Sequence, residues 1–193
     1  MDLGANIGLA SIYFAQCFEG CTIESYEPNP FNYQLLRTNT LHYKNINTFP
    51  YAVTTSKKEK YLYLAKGLKQ GWTWGNSMIE NHWDRDQNVL PLQVPTINVS
   101  KLTKTKIDIL KIDVEGLEYR IIKKIGKNLK NINIILIEFH GTKTRTKEDL
   151  LEILEILKTN EFSVDLISNS EKDLSKLDSI DKTLFWIYAY KKL

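Results

Sequence analysis

This sequence predicts an α/β fold built on a mostly parallel sheet, and three observations carry the prediction. Strong apolar runs alternate with stretches of helical period along most of the 193 residues, the pattern of βαβ units. A loop of small residues, Asp2-Leu3-Gly4-Ala5-Asn6-Ile7-Gly8, opens the first helical stretch. One helix later an apolar strand ends in Tyr26-Glu27-Pro28-Asn29-Pro30. Loop and acid together make a strand–loop–helix–strand unit suited to a nucleoside. Glycines let backbone approach a ligand closely, and a carboxylate at the next strand end accepts the hydroxyls of a ribose.

The elements follow in order. Residues 7–18 read as a helix, with Ile7, Ala10, Phe14 and Cys17 or Phe18 on one side. Residues 22–26 are a strand. Pro30 suits a first helical turn, and 31–43 continue as a helix. Residues 47–53 read as a short third strand ending in Ala52-Val53. From about 54 to 106 the rhythm breaks into an irregular insertion. Within it 61–65 alternate like an exposed strand, 67–86 have no clear period, and 92–99 look extended, with Pro95 arguing for an edge. Three of the four tryptophans, Trp72, Trp74 and Trp83, lie here, and a long irregular stretch in a compact domain is expected to cover the ligand site. The rhythm returns with a strand over 107–114, a helix over 116–126 and a strongly apolar strand over 132–139. Residues 146–160 form an amphipathic helix with Leu150, Leu151, Leu154 and Leu157 inward, Thr146 and Asp149 at its cap and Lys158 at its end. Strands over 162–167 and 184–190 are joined by a polar link too irregular for a crossover helix, so they pair antiparallel. One domain spans 1–193.

Composition removes several functions. Lys and Arg number 26 against 23 acidic residues, a net charge of +3 with the lysines scattered, so neither nucleic acid nor an anionic membrane surface is expected as partner. No apolar run reaches the ~18 residues that span a bilayer. The start lacks a basic leader region, which leaves the cytoplasm as the parsimonious compartment. Cys17 and Cys21 make no four-ligand zinc site. His42, His82 and His140 show no metal-ligand spacing, so no metal is expected.

At the blocks Asp2-Leu3-Gly4-Ala5-Asn6-Ile7-Gly8, Tyr26-Glu27-Pro28-Asn29-Pro30 and Lys111-Ile112-Asp113-Val114-Glu115-Gly116-Leu117-Glu118, the chain resembles the FkbM-type methyltransferases in order and spacing. The resemblance runs from Asp2 to the final strand. It implies an S-adenosylmethionine-dependent transferase on a Rossmann-like seven-stranded sheet, mostly parallel with the last strand antiparallel. It also implies a hydroxyl of a sugar, glycan or other small molecule as methyl acceptor. The residues point to the same cofactor independently. A dinucleotide loop needs a second glycine where the pyrophosphate approaches; here Asn6 stands there. S-adenosylmethionine has no pyrophosphate, so this loop suits it better than NAD. No Gly-Lys-Ser/Thr follows the glycines, which removes a Walker-type phosphate loop.

The cofactor-binding residues expected are Asp2, Gly4, Ala5, Asn6, Gly8, Glu27, Pro28, Asn29 and Ala52. Asp2 either faces the methionine ammonium or caps a turn. Gly4 and Gly8 permit the turn and close helix packing. Glu27 accepts from the ribose, Pro28 shapes the exit, and Asn29 lies near ribose or adenine. Ala52 and Val53 line the adenine pocket or belong to the core.

Asp113, Glu115 and His140 are the catalytic candidates. Asp113 ends the fourth strand, at the carboxyl edge where open α/β sheets bind ligands. Glu115 follows it; Glu118 opens the next helix, where an acid also simply favours the dipole. Lys111 shares a strand face with Asp113, and such a charged pair is costly unless satisfied or used. Glu138 and His140 share a face at the end of the fifth strand. His140, with an ordinary pKa near ~6.5, suits a proton acceptor, as does Asp113, each for ~10²–10⁴-fold. His82 is a loop residue. The transfer expected is an in-line displacement in which alignment and exclusion of water do most of the work.

Two other functions compete. Only Met1–Leu3 are present to form the central first strand, which frames the chain as truncated there and opens the reading of an inactive or binding-only fragment lacking its N-terminal part. A nicotinamide-dependent oxidoreductase is disfavoured by Asn6.

Overall fold

The computed structural model describes residues 1–56, 60–65, 76–80, 89–169, 174 and 179–192. A seven-stranded sheet forms its centre. The strands are β1 (Asp2–Leu3), β2 (Ile23–Tyr26), β3 (Ile46–Phe49), β8 (Ile107–Ile112), β9 (Ile132–His140), β10 (Phe162–Ser168) and β11 (Leu184–Lys191). Their order is β10-β11-β9-β8-β1-β2-β3. Every neighbouring pair is parallel except those of β11, which runs antiparallel to both β9 and β10. The link between β10 and β11 carries no crossover helix among the described residues, so β11 enters from the same end at which β10 finishes.

β1 is two residues long but central. It pairs with Ser25 and Tyr26 on one side and with Lys111 and Ile112 on the other. The Met1 ammonium donates to the Ile109 carbonyl at 2.8 Å, continuing the ladder with a charged donor. A cavity of about 1080 Å³ opens beyond Met1, at the amino edge of the sheet between Ile23 and Ile107–Ile109. Ile134 on β9 borders it and stays 37% exposed, so the expectation that β9 is buried on both faces holds only toward its carboxyl end.

Helices α1 (Leu9–Cys17), α2 (Pro30–Thr40), α4 (Glu118–Ile125) and α5 (Lys147–Thr159) connect the strands. Pro30 sits in the first turn of α2 and the Asn29 side chain accepts from the Phe31 N–H at 2.9 Å, so a fixed φ and a side-chain cap start this helix together. Thr146 and Asp149 form a capping box at α5. Ile121, Ile122 and Ile125 of α4 join the core at β9, whose Ile135, Ile137 and Phe139 are buried, and Leu150, Ile153 and Leu157 of α5, which lies against α4 and β10, complete it. No described helix is long and apolar enough to cross a membrane.

The third strand corrects the sequence expectation. Residues 47–53 are not one strand: β3 stops at Phe49 and β4 (Ala52–Thr54) begins after Pro50 and Tyr51. Proline has no N–H for the ladder, so the chain leaves the main sheet there. β4 pairs instead with β7 (Thr96–Asn98) in a separate parallel ribbon. β5 (Tyr61–Ala65) and β6 (Val89–Gln93) form an antiparallel hairpin. The insertion is thus framed by ladders rather than irregular throughout. Val99 starts the short helix α3 (Val99–Leu102) behind an Asn98 cap instead of extending the strand. Trp72, Trp74, Trp83 and His82 lie outside the described residues.

Candidate active site

The carboxyl ends of β1, β2 and β8 meet at one cleft. Its first wall is the loop after β1. Gly4 and Ala5 both donate their N–H to the Tyr26 carbonyl, at 3.0 and 2.9 Å. Gly4 has φ +79°, and a Cβ there would lie 1.7 Å from the Asp113 carbonyl oxygen. Only glycine lets this loop cross the end of β8. Asn6 follows at φ 49°, a left-handed conformation that asparagine tolerates better than most residues. This turn aims the Asn6 N–H at Glu27 Oε2, 2.9 Å away, while the Asn29 N–H donates to Oε1 at 2.9 Å. Glu27 is 6% exposed. Burial pushes its carboxyl up to about 7, although both backbone N–H groups favour the anion.

Gly4, Asn6, Glu27, Pro28 and Ala52 line this narrow cleft of about 70 Å³, with Asp113 and Glu115 at one end. Tyr51, Val53, Leu62 and Met78 give it an apolar wall. The remaining loop residues sit behind. Asp2 is fully buried; it accepts from the Ser11 hydroxyl at 2.6 Å, and the Lys111 ammonium lies 3.3 Å from its Oδ1. Lys111 also donates to Asp113 Oδ2 at 3.1 Å and to the Gly4 carbonyl at 3.2 Å. Burial opposes this charge, but Asp2 and Asp113 outweigh it and raise the lysine pKa. Gly8 meets Leu36 and Thr40 of α2, where a Cβ would come within 2.8 Å of Leu36 Cδ1. Ala5 and Asn29 are buried and act through their backbone N–H groups, Asn29 also as the α2 cap.

At the other end a charged cluster gathers from the ends of β8 and β9. Glu115 has φ 54° and Gly116 has φ 106°, so the chain turns sharply after Asp113-Val114. The Ser77 hydroxyl donates to the Glu115 carbonyl at 2.6 Å. Glu118, fully buried, accepts the Gly116 N–H on both oxygens at 2.9 and 3.0 Å. Its Oε1 lies 3.1 Å from His140 Nδ1. On the other side of the ring, Nε2 lies 3.4 Å from Glu115 Oε2 and 3.6 Å from Glu138 Oε1. Burial opposes a charged imidazole, yet the hydrogen bonds to Glu118 and Glu138 with the charges of Glu118 and Glu115 push His140 up to about 11. Burial pushes the Glu115 carboxyl up to about 7, against the pull of His140, and raises that of Asp113, against Lys111. Burial also works against the Glu118 carboxylate, but the His140 hydrogen bond and charge overcome it and hold that group low.

Asp113, Glu115 and His140 are therefore brought together, with donor atoms all within 4.8 Å of one another. Ser77 and Arg145 escaped the sequence reading, and Glu118 figures there chiefly as an acid favouring the helix dipole. Glu118 reads as an ordinary first-turn acid, and no local pattern tells that it is buried under a histidine. Arg145 Nε donates to the Gly116 carbonyl at 2.6 Å, a contact across 29 positions that spacing does not reveal. Of the pocket residues Tyr51 and Met78, Tyr51 had a partial signal in its neighbours Ala52-Val53 and Met78 had none. Chemically, the cleft offers a carboxylate oriented by two backbone N–H groups and an apolar wall at one end. At the other end stand groups that take or share a proton.

A family described as Methyltransferase FkbM domain matches residues 2–164 of the chain. No curated protein matches it. Among solved structures, precorrin-6y C5,15-methyltransferase from Geobacter metallireducens aligns over 99% of this chain and 78% of its own, at 14% identity and TM-score 0.51. Methanococcus jannaschii fibrillarin, a pre-rRNA processing protein, aligns over 99% of this chain and 65% of its own, at 14% identity and TM-score 0.51. Aeropyrum pernix fibrillarin, solved with natively bound S-adenosyl-L-methionine, aligns over 97% and 64%, at 13% identity and TM-score 0.53. At such identities these likenesses concern the fold.

Proposed function

The chain belongs to the FkbM methyltransferase family, whose cofactor is S-adenosylmethionine, and from that premise we propose that it methylates a hydroxyl of a sugar, glycan or other small molecule. The observation that carries this reading is the opposition, across one cleft, of Glu27 and the Asp113–Glu115–His140 cluster.

The residues present fit the cofactor. Glu27 is an oriented carboxylate whose two oxygens are each held by a backbone N–H, which leaves lone pairs for two ribose hydroxyls. Tyr51, Val53 and Met78 offer apolar surface for a flat ring, and the Gly4–Asn6 loop supplies main chain at close approach. Bound there, the cofactor supplies a methyl group already activated on a sulfonium.

What the chain must add is alignment and a place for a proton. A hydroxyl oxygen acceptor loses its proton as it is methylated, whereas an acceptor with a free lone pair on neutral nitrogen needs no base to attack. Asp113 and Glu115 stand at the cleft end with carboxyls lifted by burial, the condition that suits a carboxylate to accept a proton near neutral pH. His140, held well above its ordinary range, keeps both ring protons at neutral pH, so the carboxylates take the proton and the imidazolium balances their charge. The same acids argue for a small uncharged acceptor. Asp113, Glu115 and Glu138 place negative charge at the acceptor end, which repels a phosphodiester backbone.

The test is calorimetric titration with S-adenosylhomocysteine, followed by a screen of monosaccharides for methyl uptake from labelled cofactor. Micromolar binding that Glu27→Ala abolishes, with label transferred to a sugar hydroxyl, supports the reading. Binding without transfer to any hydroxyl compound, together with transfer to RNA, overturns the acceptor class.

A further inference from the structure

We propose that Asp113, Glu115 and His140 form a binding site for a divalent metal cation at the acceptor end of the cleft. The donor set is mixed, two carboxylates and one imidazole, and comes from the turn after β8 and the last residue of β9. Oxygen and imidazole donors in this proportion suit first-row divalent cations such as Mn²⁺ or Zn²⁺.

Three features of the arrangement point to a cation. The first is the orientation of the ring. Glu118 is fully buried and its carboxylate holds Nδ1 of His140 at 3.1 Å. A carboxylate on the far nitrogen is the usual backing of a metal-bound histidine: it retains the Nδ1 proton, so an arriving ion displaces the Nε2 proton of the imidazolium and takes that lone pair. Here the outward nitrogen, Nε2, faces Glu115 Oε2 at 3.4 Å. Donors bonded at ~2.1 Å to one ion lie roughly 3.0–3.4 Å apart, so this pair already stands at ligand spacing, and an Asp113 oxygen lies within 4.8 Å of both.

The second is Glu115 itself. Its Oε2 is buried and makes no hydrogen bond among the described residues, with the His140 ring at 3.4 Å as its cationic neighbour. An anionic oxygen removed from water is costly without a donor or a cation.

The third is the charge inventory. Asp113, Glu115, Glu118 and Glu138 surround one imidazole. The Lys111 ammonium is divided between Asp2 and Asp113. The Arg145 guanidinium donates to the carbonyls of Gly116 and Thr144 rather than to these acids. Among the described residues negative charge is therefore in excess around Nε2, and the carboxylates that favour a proton there favour a doubly charged ion more strongly.

The site stands on these side chains alone; only its use rests on the methyltransferase reading. In that use the cation holds the acceptor oxygen beside the cofactor and makes its hydroxyl more acidic. With Asp113 and Glu115 engaged as ligands, the proton assigned to them in the metal-free chain passes instead to Glu138, the remaining carboxylate at Nε2.

The experiment is titration of the full chain with MnCl₂ at about pH 8, where the ligands compete best with protons. Uptake is followed by calorimetry and by loss of the free Mn²⁺ spin-resonance signal. The result expected is about one ion per chain, with affinity reduced at least ~10-fold in Glu115→Gln and in Asp113→Asn, both checked as folded by circular dichroism. Glu27→Ala should keep Mn²⁺ uptake while losing S-adenosylhomocysteine. No saturable uptake by protein that binds S-adenosylhomocysteine overturns the metal site and leaves the cofactor reading standing. Uptake unchanged in both carboxamide variants also overturns it. Uptake without S-adenosylhomocysteine binding supports the metal site and counts against the cofactor reading instead.

Discussion

The Asn6 N–H donates to the Glu27 carboxylate at 2.9 Å across 21 positions of sequence, so the loop and the acid proposed to hold the cofactor are one device. Glu27→Ala removes the ribose acceptor and frees two backbone donors, those of Asn6 and Asn29. A hydrogen bond to a charged group contributes about 1.5–3 kcal/mol. Affinity for S-adenosylhomocysteine should fall about 10–100-fold, measured by calorimetry. Glu27→Gln keeps one oxygen acceptor but places an NH₂ against a backbone donor, and should fall between the wild type and Ala.

The same carboxylate makes cofactor binding depend on pH. Only the anion offers lone pairs to the ribose hydroxyls while also accepting both N–H groups. With burial pushing Glu27 up to about 7 from 4.5, the folded, ligand-free chain binds more protons than the unfolded chain between those two values. Stability from this group therefore falls as pH rises through that window. Affinity moves the opposite way. S-adenosylhomocysteine should bind more tightly from about pH 6 to 8, by at most ~10-fold per unit, and level off above. The part of the profile due to Glu27 disappears in Glu27→Gln; an identical profile in that variant rejects this assignment.

Much of the fold was legible because it is written in short-range signals. The Asp2–Gly8 loop and the Glu27 strand end lie one helix apart, and the Pro30 and Thr146 caps are local. The third strand was misread because Ala52-Val53 continue an extended apolar pattern. A single proline diverts them to a partner more than forty residues later, Thr96 and Ile97. At the site, Asp113, Glu115 and His140 were found as strand-end acids and a strand-end base. Their mutual geometry was not, because it depends on Glu118, whose burial is a tertiary fact. For Asp2 the loop position was legible but not the neighbours: Ser11 and Lys111 meet it from behind the cleft wall, and both lie outside the loop.

Lys111 bridges two buried carboxylates, and its removal should be felt as stability. In Lys111→Met the fully buried Asp2 loses its ion pair, and so does Asp113. Breaking a buried pair costs about 3–5 kcal/mol. Thermal unfolding should show that loss near neutral pH and a smaller one in acid, where carboxyl protonation removes the uncompensated charge. Adding Asp2→Asn to Lys111→Met should recover part of the deficit. A double variant no more stable than the single one rejects the pairing as the cause.

Gly4→Ala should disable the cleft without touching a polar group. The new Cβ would meet the Asp113 carbonyl oxygen at 1.7 Å, at a φ of +79° that disfavours any side chain. The clash is with backbone on both sides, so the β1 loop and the end of β8 must separate. That displaces Asn6 from Glu27 and shifts Asp113. Binding of S-adenosylhomocysteine should be lost, and Tm should fall. Retained affinity would mean that the loop adapts and that the crossing is not part of the site.

Ser77 ties the insertion to the catalytic turn through one hydroxyl. It is 3% exposed, donates to the Glu115 carbonyl at 2.6 Å and accepts the Ile79 N–H at 3.0 Å. Its backbone meanwhile bridges Tyr63 in both directions. Ser77→Ala removes the hydroxyl and leaves that backbone bridge. The Glu115 carbonyl and the Ile79 N–H are then unsatisfied, each a loss of about 1–3 kcal/mol if it stays buried. The left-handed Glu115 also loses one of the contacts that hold its turn. Amide hydrogen exchange separates these consequences. The Ile79 amide should exchange faster in Ser77→Ala, as should amides of the turn at Val114–Leu117, while the Tyr63 amide, whose acceptor is the Ser77 carbonyl, keeps its protection. Loss of protection at Tyr63 as well would show that the whole hairpin depends on the hydroxyl. Unchanged exchange at Ile79 and in the turn would show that Ser77 holds neither.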